Sequence, residues 1–387
     1  MRVTHVITRL VIGGAQENTV ASVLGLRRRP DFEANLITGP TSGPEGSLAP
    51  LFRNEPDLLT LVPTLVRAVH PLYDWAALLR LTRIFRSTHP QIVHTHSGKA
   101  GILGRLAASR AGVPIIVHTI HGPSFGDFQG PNPNFLFKGA ERLAAGVTTH
   151  FVSVAQAMTR QYLAAGIGRP EQYSCIFSGF TLGPLLEARN EPALRRRLQI
   201  DANDIVIGKV SRLFKLKGHD DLLAAAPAVL RRCPRVKFLL IGDGAWRERL
   251  QRRVEFLGLQ KHFIFTGLVA PEEMARYFGI MDVLVHLSLR EGLARALPQA
   301  LAAGRPVIAY DCDGANEVCL PGETGFLVRP GELDTLAERL VQLAGDAGLR
   351  ERMGKRGREL VRQSFSIETM VEKLCTLYRQ LAATRQM

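Results

Sequence analysis

The stretch Ile205-Val206-Ile207-Gly208-Lys209-Val210-Ser211-Arg212-Leu213-Phe214-Lys215-Leu216-Lys217-Gly218 decides how the chain is organised. Its first six residues are a mainly apolar run of the length of one buried strand. A basic turn ending in glycine follows, and then a helical pattern, which together read as the start of a βα unit. The unit is also a restart. The region before it, 182–204, is polar and Arg-rich, with no apolar run long enough for a core strand. Downstream, the runs Val236 to Ile241, Phe263 to Thr266, Asp282 to His286 and Pro306 to Tyr310 continue the series. Upstream, runs near 2–8, 34–38, 91–95, 114–119, 149–154 and 173–177 form an earlier series. Helical patterns lie between those runs, clearest at Tyr73 to Arg86 and Gly98 to Ala111. The pattern predicts an α/β protein of two Rossmann-like parallel-sheet domains, 1–185 and 186–368. A closing helix over 369–387 begins its pattern at Ile367 and runs to about Ala383, with Met370, Leu374, Leu377, Tyr378 and Leu381 on one face.

Composition agrees with two ordinary globular domains: 387 residues, 46% hydrophobic and 22% charged. The formal net charge is +14, carried by 40 Arg and only 9 Lys. Arg pairs with phosphate bidentately where Lys does not. The excess divides equally between residues 1–180 and 181–387, which argues against a basic nucleic-acid-binding tail. Nucleic acid is therefore not an expected partner. The five cysteines (175, 233, 312, 319 and 375) form no CxxC and cannot all pair, so a reducing, cytoplasmic setting is expected. No window approaches ~18 uninterrupted apolar residues, so no spanning helix is expected. Arg2-Val3-Thr4-His5-Val6-Ile7 reads as a first strand rather than a signal peptide.

Parallel α/β sheets bind ligands at the carboxyl ends of their strands, and two such domains place the expected site in a cleft between them. Arg212 and Lys217 follow the strand at 205–210; two cations and a helix N-terminus there suit a diphosphate. A solvated turn is the plainer reading, and Lys215 fits it. Glu291-Gly292 follows the strand at 282–286, placed to grip hydroxyls, with Leu293 and Ala294 expected to offer backbone N–H groups in the first turn of the next helix. The same Glu also suits a simple helix start. Gly13-Gly14 opens the first helix without forming GxGxxG, so a nicotinamide dinucleotide fingerprint is missing there. His94-x-His96 and His118-x-x-His121 end two successive strands; a metal site is one reading, and one or two ligand-facing histidines among structural ones the other. Gly242 and Val269 close further strands and suit a ribose or base pocket, or plain turns. The helix Tyr73 to Arg86 carries Arg80, Arg83 and Arg86 beside apolar residues, as a snorkelling surface helix or a peripheral contact with anionic membrane would.

The ordered set resembles the family 4 glycosyltransferases. It comprises Gly13-Gly14-Ala15, His94-x-His96-Ser97, Thr119-x-His121-Gly122, Ser211-Arg212-Leu213 with Lys217-Gly218, and Gly242-Asp243-Gly244. Ser288-x-x-Glu291-Gly292, Ala303-Gly304-Arg305-Pro306, Glu317 and Gly322-x-x-Gly325 complete it. The resemblance covers nearly the whole chain. It implies a GT-B fold whose last helix crosses back to the first domain. It also implies transfer of a hexose-type sugar from a nucleotide-diphosphate donor to a glycan or lipid-linked hydroxyl, with retention, without metal or cofactor. Arg212, Lys217 and the backbone of Leu293 and Ala294 would bind the diphosphate, with Gly14 lining its phosphate side. Glu291 would bind sugar hydroxyls, Val269 and its neighbours would touch the base, and His121 would stand beside the reacting sugar. The family's second Glu is Gln299 here, which keeps one carbonyl acceptor for the ribose but loses the charge. Two alternatives follow from the same residues: a sugar-nucleotide 2-epimerase, and a non-catalytic or weakly active sugar-nucleotide-binding protein. Acceptor contacts are expected from the Gly- and Pro-rich segments 39–48 and 122–135, and a protein peripheral to the inner membrane face would suit a lipid-linked acceptor.

Overall fold

Every apolar run marked out by the sequence becomes a strand in the computed structural model, which describes residues 1–41, 46–126 and 128–386. The first series gives β1 (Arg2–Ile7), β2 (Glu33–Thr38), β3 (Leu59–Leu61), β4 (Ile92–His96), β5 (Ile115–Ile120), β6 (His150–Ser153) and β7 (Tyr173–Cys175). These form one seven-stranded sheet in the order β3-β2-β1-β4-β5-β6-β7, and every pair is parallel. The second series gives β8 (Ile205–Val210), β9 (Val236–Ile241), β10 (Phe263–Gly267), β11 (Val283–His286), β12 (Val307–Tyr310) and β13 (Gly325–Val328). They form a six-stranded parallel sheet in the order β10-β9-β8-β11-β12-β13. The fold is GT-B in its parts: two doubly wound α/β sheets. In each, the strand order reverses at one place, between β1 and β4 and between β8 and β11. Connections leave in opposite directions there, so the loops beyond the strand ends part and leave room for a ligand.

The chain divides into two compact units, Met1–Phe180 with Ile367–Met387, and Thr181–Ser366. In the first unit, one face of the sheet packs Val3 and Ile7 against Val23 and Leu26 of the helix Gly14–Arg27 and against Met370, Leu374 and Tyr378 of the helix Ile367–Gln386. Gly25 lets those two helices touch, since a Cβ there would meet Val371 at 2.4 Å. The other face packs Val6 and Ile37 on Leu81 and Phe85 of the helix Pro71–Thr88 and Ala107 of the helix Gly98–Arg110. β4 and β5 are buried along their whole length because both faces are covered. The second unit has its own core of Ile207, Phe238 and Val285 with Leu222 of the helix His219–Arg232 and Leu340 of the helix Leu333–Gly345.

Three local expectations change. β3 and β13 join as edge strands that the apolar runs do not mark. The polar region before β8 holds two short helices, Gly183–Leu186 and Pro192–Arg197. The helix after Glu291 spans only Ala296–Ala302, so Leu293 and Ala294 lie on the loop before it, not in its first turn.

Candidate active site

Two loops at the reversal point of the second sheet are stitched together. The β8 loop leaves the strand at Ser211 and enters the helix His219–Arg232 through Gly218, which is left-handed (φ +62°). A Cβ on Gly218 would lie 2.2 Å from the Leu287 carbonyl oxygen, so only glycine lets this turn sit against the end of β11. The Leu289 N–H donates to the Leu216 carbonyl at 2.9 Å across the same junction. Lys217 then reaches into the β11 loop. Its ammonium forms a short ion pair with the Glu291 carboxylate and donates to Ser288 Oγ at 3.2 Å.

The Glu291 carboxylate is set by competing effects. Burial favours its neutral form, but the charges of Lys217 and His286 and hydrogen bonds from Lys217 and Ser288 outweigh that and hold it below the usual range. Its backbone is pinned as well, because the Glu291 N–H donates to Asp313 Oδ2 at 2.6 Å. Asp313 sits in the left-handed region (φ +49°) just beyond β12. Arg212 is exposed at the mouth of the β8 loop, its guanidinium 5.4 Å from the Phe214 ring centroid. Its carbonyl faces His219 Nε2 at 3.1 Å. Burial lowers the His219 pKa to about 4, so the neutral ring donates this bond.

The other residues expected to bind the donor follow strands of the same sheet. Gly242 (φ +130°) closes β9, and a Cβ there would lie 2.2 Å from the Ser211 carbonyl oxygen, so β9 ends directly on the β8 loop. Leu293 and Ala294 are buried on the loop that carries Glu291. Val269 lies two residues beyond β10, at the outer strand, and Gln299 is half-buried in the helix Ala296–Ala302. Lys209, His286 and Asp313 were missed by the sequence reading. The first two carry one signal, a polar residue at the carboxyl end of an otherwise apolar buried strand.

In the first unit, Gly14 opens the helix that follows the loop after β1, and His121 directly follows β5. His121 heads a file of imidazoles: His121 Nε2 lies 3.0 Å from His96 Nδ1, and His96 Nε2 lies 2.9 Å from His5 Nδ1. His94 stacks beside them but spends both ring nitrogens elsewhere, on the Tyr378 hydroxyl at 2.5 Å and Thr119 Oγ1 at 2.6 Å. His118 points to the opposite face of the sheet and bonds Thr95 Oγ1, as strand alternation requires. Burial pushes the pKa of His5 down to about 3, and those of His94, His96 and His118 well below the ordinary value, so these rings are neutral. One nitrogen from each of His5, His94 and His96 lies within 4.8 Å of the others, the spacing of a metal-ligand set. His94 spends both nitrogens on hydroxyls and His96 bonds His121 and His5 Nδ1, so the group forms a file leading to His121, with His5 Nε2 buried and without a hydrogen-bond partner at its far end.

Of the expected acceptor segments, residues 42–45 and Asp127 lie outside the described residues, and the segment from Pro131 onward is not loop but the helix Pro131–Ala145. Helix Pro71–Thr88 exposes Arg80 and Arg83, while Arg86 donates to the Arg110 carbonyl at the end of the neighbouring helix. Among the described residues, no helix is long and apolar enough to cross a membrane.

Known proteins resemble the chain across both units. The family profile described as glycosyl transferases group 1 matches residues 190–360, and the glycosyl transferase 4-like domain matches residues 13–176. The UDP-Gal:alpha-D-GlcNAc-diphosphoundecaprenol alpha-1,3-galactosyltransferase of Escherichia coli is 28% identical over 100% of this chain and 98% of its own length. A GDP-mannose-dependent alpha-mannosyltransferase of Mycobacterium tuberculosis is 31% identical over 82% of this chain and 80% of its own. The crystal structure of Anabaena HepE in complex with UDP superposes with a TM-score of 0.81 at 22% identity, covering 98% of this chain and 100% of that one.

Proposed function

The chain belongs to the group 1 glycosyltransferases, and from that premise we propose a retaining, metal-independent transfer of a hexose to a lipid-linked or glycan hydroxyl. It is a glycosyltransferase that draws on a nucleotide sugar; the sugar, the stereochemical course and the acceptor are the proposal. The observation that carries it is the Lys217–Glu291 pair at the reversal point of the second sheet, on the loop that also carries Arg212. One cation and one carboxylate a bond apart are what a sugar diphosphate needs, an anchor for its phosphates and an acceptor for its hydroxyls.

Departure of the nucleoside diphosphate builds negative charge on its outer phosphate. Arg212 and Lys217 stand on the same loop after β8, and as Lys217 leaves Glu291 for the phosphates the two cations stabilise the leaving group. Glu291, ionised and pinned through its backbone, accepts hydrogen bonds from the sugar and orients its anomeric carbon. His121 is assigned to the reacting sugar, with His96 and His5 fixing the plane of its ring. Two cations on one strand-end loop can supply the stabilisation that a divalent ion supplies elsewhere, which is the physical ground for a metal-free reaction.

A lipid-linked acceptor is favoured by the surface of the first unit. Leu72, Trp75 and Phe135 are exposed at 72%, 63% and 75%, near the starts of two helices that follow parallel strands and therefore begin at the carboxyl edge of the sheet. The Escherichia coli relative, by name, uses a diphosphoundecaprenol-linked acceptor. Peripheral contact with an anionic membrane follows from that surface and from the exposed Arg80 and Arg83.

The test incubates the protein with UDP- and GDP-sugars and a short-chain lipid diphosphate sugar, with products read by NMR. Transfer with the anomeric configuration kept, reduced by ~100-fold or more in Arg212→Ala and unchanged by EDTA, is the expected result. Activity abolished by EDTA and restored by a divalent ion overturns the metal-free reading. A sugar nucleotide epimerised without acceptor overturns the transfer itself.

A further inference from the structure

Lys209 is the penultimate residue of β8 and is 1% exposed. Strand alternation puts it on the same face as Ile207, under the helix His219–Arg232. Its ammonium group has no hydrogen-bond partner, and neither do His219 Nδ1, His286 Nδ1 and Nε2, or Ser211 Oγ. Buried polar atoms are normally paired. Five orphans come from β8, its loop and helix, and β11, and Lys209 and His286 interact electrostatically with Lys217 and Glu291, so the charge balance of this buried junction is unfinished.

The groups that face Lys209 come from every element around it: Lys217 from its own loop, His219 and Asp221 from the overlying helix, and His286 and Glu291 from β11 and its loop. Asp221 is in turn held by the Tyr310 hydroxyl at 2.7 Å, from β12. Burial, then the charge of Lys217, lower the pKa of Lys209 to about 7, against the pull of Asp221 and Glu291. A donor diphosphate would reverse that balance. It brings negative charge to the junction and draws Lys217 away from Glu291 toward the phosphates.

We propose that Lys209 is a further positioning residue of the donor site, a buried amine that takes up a proton as the diphosphate binds and becomes the cation that holds Glu291 once Lys217 turns to the phosphates. The inference rests on the donor reading given above. It explains why an amine is kept inside an apolar strand, where a methionine would pack at lower cost. It also gives Glu291 a fixed partner throughout the cycle, so its carboxylate stays ionised and in place while its first partner is engaged elsewhere.

Calorimetric titration of the full chain with UDP-glucose and with GDP-mannose, at about pH 8 in buffers of different ionisation enthalpy, reads the proton directly. The bound sugar diphosphate has no group that titrates near that pH. Wild type is expected to take up ~0.5–1 proton per donor bound. Lys209→Met and Lys209→Gln are expected to take up none and to bind ~10-fold more weakly, with circular dichroism unchanged. Binding with the same heat in every buffer overturns this inference alone, as does uptake that persists in both variants. The wild-type arm decides even if neither variant folds. Failure of both nucleotide sugars to bind overturns the donor reading, and this inference falls with it.

Discussion

At the residue scale, the site is held by opposites that compensate each other, and removing one exposes the other. Burial alone would push the Glu291 carboxyl up; the charges of Lys217 and His286 bring it down. Lys217→Ala therefore does more than delete a phosphate anchor. It leaves the carboxyl with burial as its dominant influence, so the pKa rises and the acidic limb of kcat/KM moves to higher pH, with transfer falling ~100-fold or more. A pH–rate profile of the variant that falls uniformly, with its acidic limb unmoved, would show that Lys217 does not set the ionisation of Glu291. Arg212, Lys217 and Glu291 stand out in the sequence because each is a charge on the segment that follows an apolar run. Lys209 and Asp313 do not. What a buried lysine faces depends on β8 lying beside β11, and what Asp313 holds depends on β12 lying beyond it, facts of topology that no local window contains.

At the element scale, strands read well and their boundaries with loops less so. β3 is three residues, Leu59–Leu61, at a sheet edge with little of it buried, so it leaves almost no apolar signature. The late start of the helix Ala296–Ala302 has a similar origin: Glu291 is drawn to Lys217 and Asp313 before the chain can coil, and Gly292 follows. That helix carries Gln299, half-buried one turn in. If it faces the nucleotide ribose, Gln299→Glu restores a charged acceptor and lowers the donor KM by ~5-fold, measured by initial rates at saturating acceptor. A higher KM would place Gln299 outside the donor site. The two helices of the first unit with exposed apolar starts support a separate expectation. Lys99 pairs with Asp74 and donates to the Ala68 carbonyl, which fixes the start of the helix Pro71–Thr88 and presents Leu72 and Trp75 outward. Replacing Leu72, Trp75 and Phe135 together by Ser should cut sedimentation with anionic vesicles by ~10-fold or more and leave transfer to a water-soluble acceptor intact. Unchanged sedimentation would assign those side chains to another partner.

At the scale of the whole molecule, the order of the chain and the order of the cores differ. The first unit is built from both ends of the sequence, and the second lies wholly between them. The period of Met370, Leu374, Leu377 and Tyr378 shows that the last helix has an apolar face, but periodicity does not say which sheet that face covers. The structure answers with particular contacts: Val371 on Gly25, the Tyr378 hydroxyl on His94, and Asn18 Nδ2 near the Met370 sulfur at 3.1 Å. Met370, Val371, Leu374, Leu377 and Tyr378 are all at least 94% buried. At ~1.5–3 kcal/mol for each buried apolar side chain, they contribute ~8–15 kcal/mol, as much as the whole net stability of a typical domain. Ending the chain after Ser366 also strips the partner from His94 Nδ1 in a fully buried strand, a further cost of ~1–3 kcal/mol. The truncated protein should therefore lose the first unit and keep the second. Limited proteolysis with mass spectrometry should recover a resistant fragment close to Thr181–Ser366 while the segment Met1–Phe180 is digested. Survival of the whole truncated chain, with a single unfolding transition near that of wild type, would mean that the helix Ile367–Gln386 decorates the first unit without holding it together.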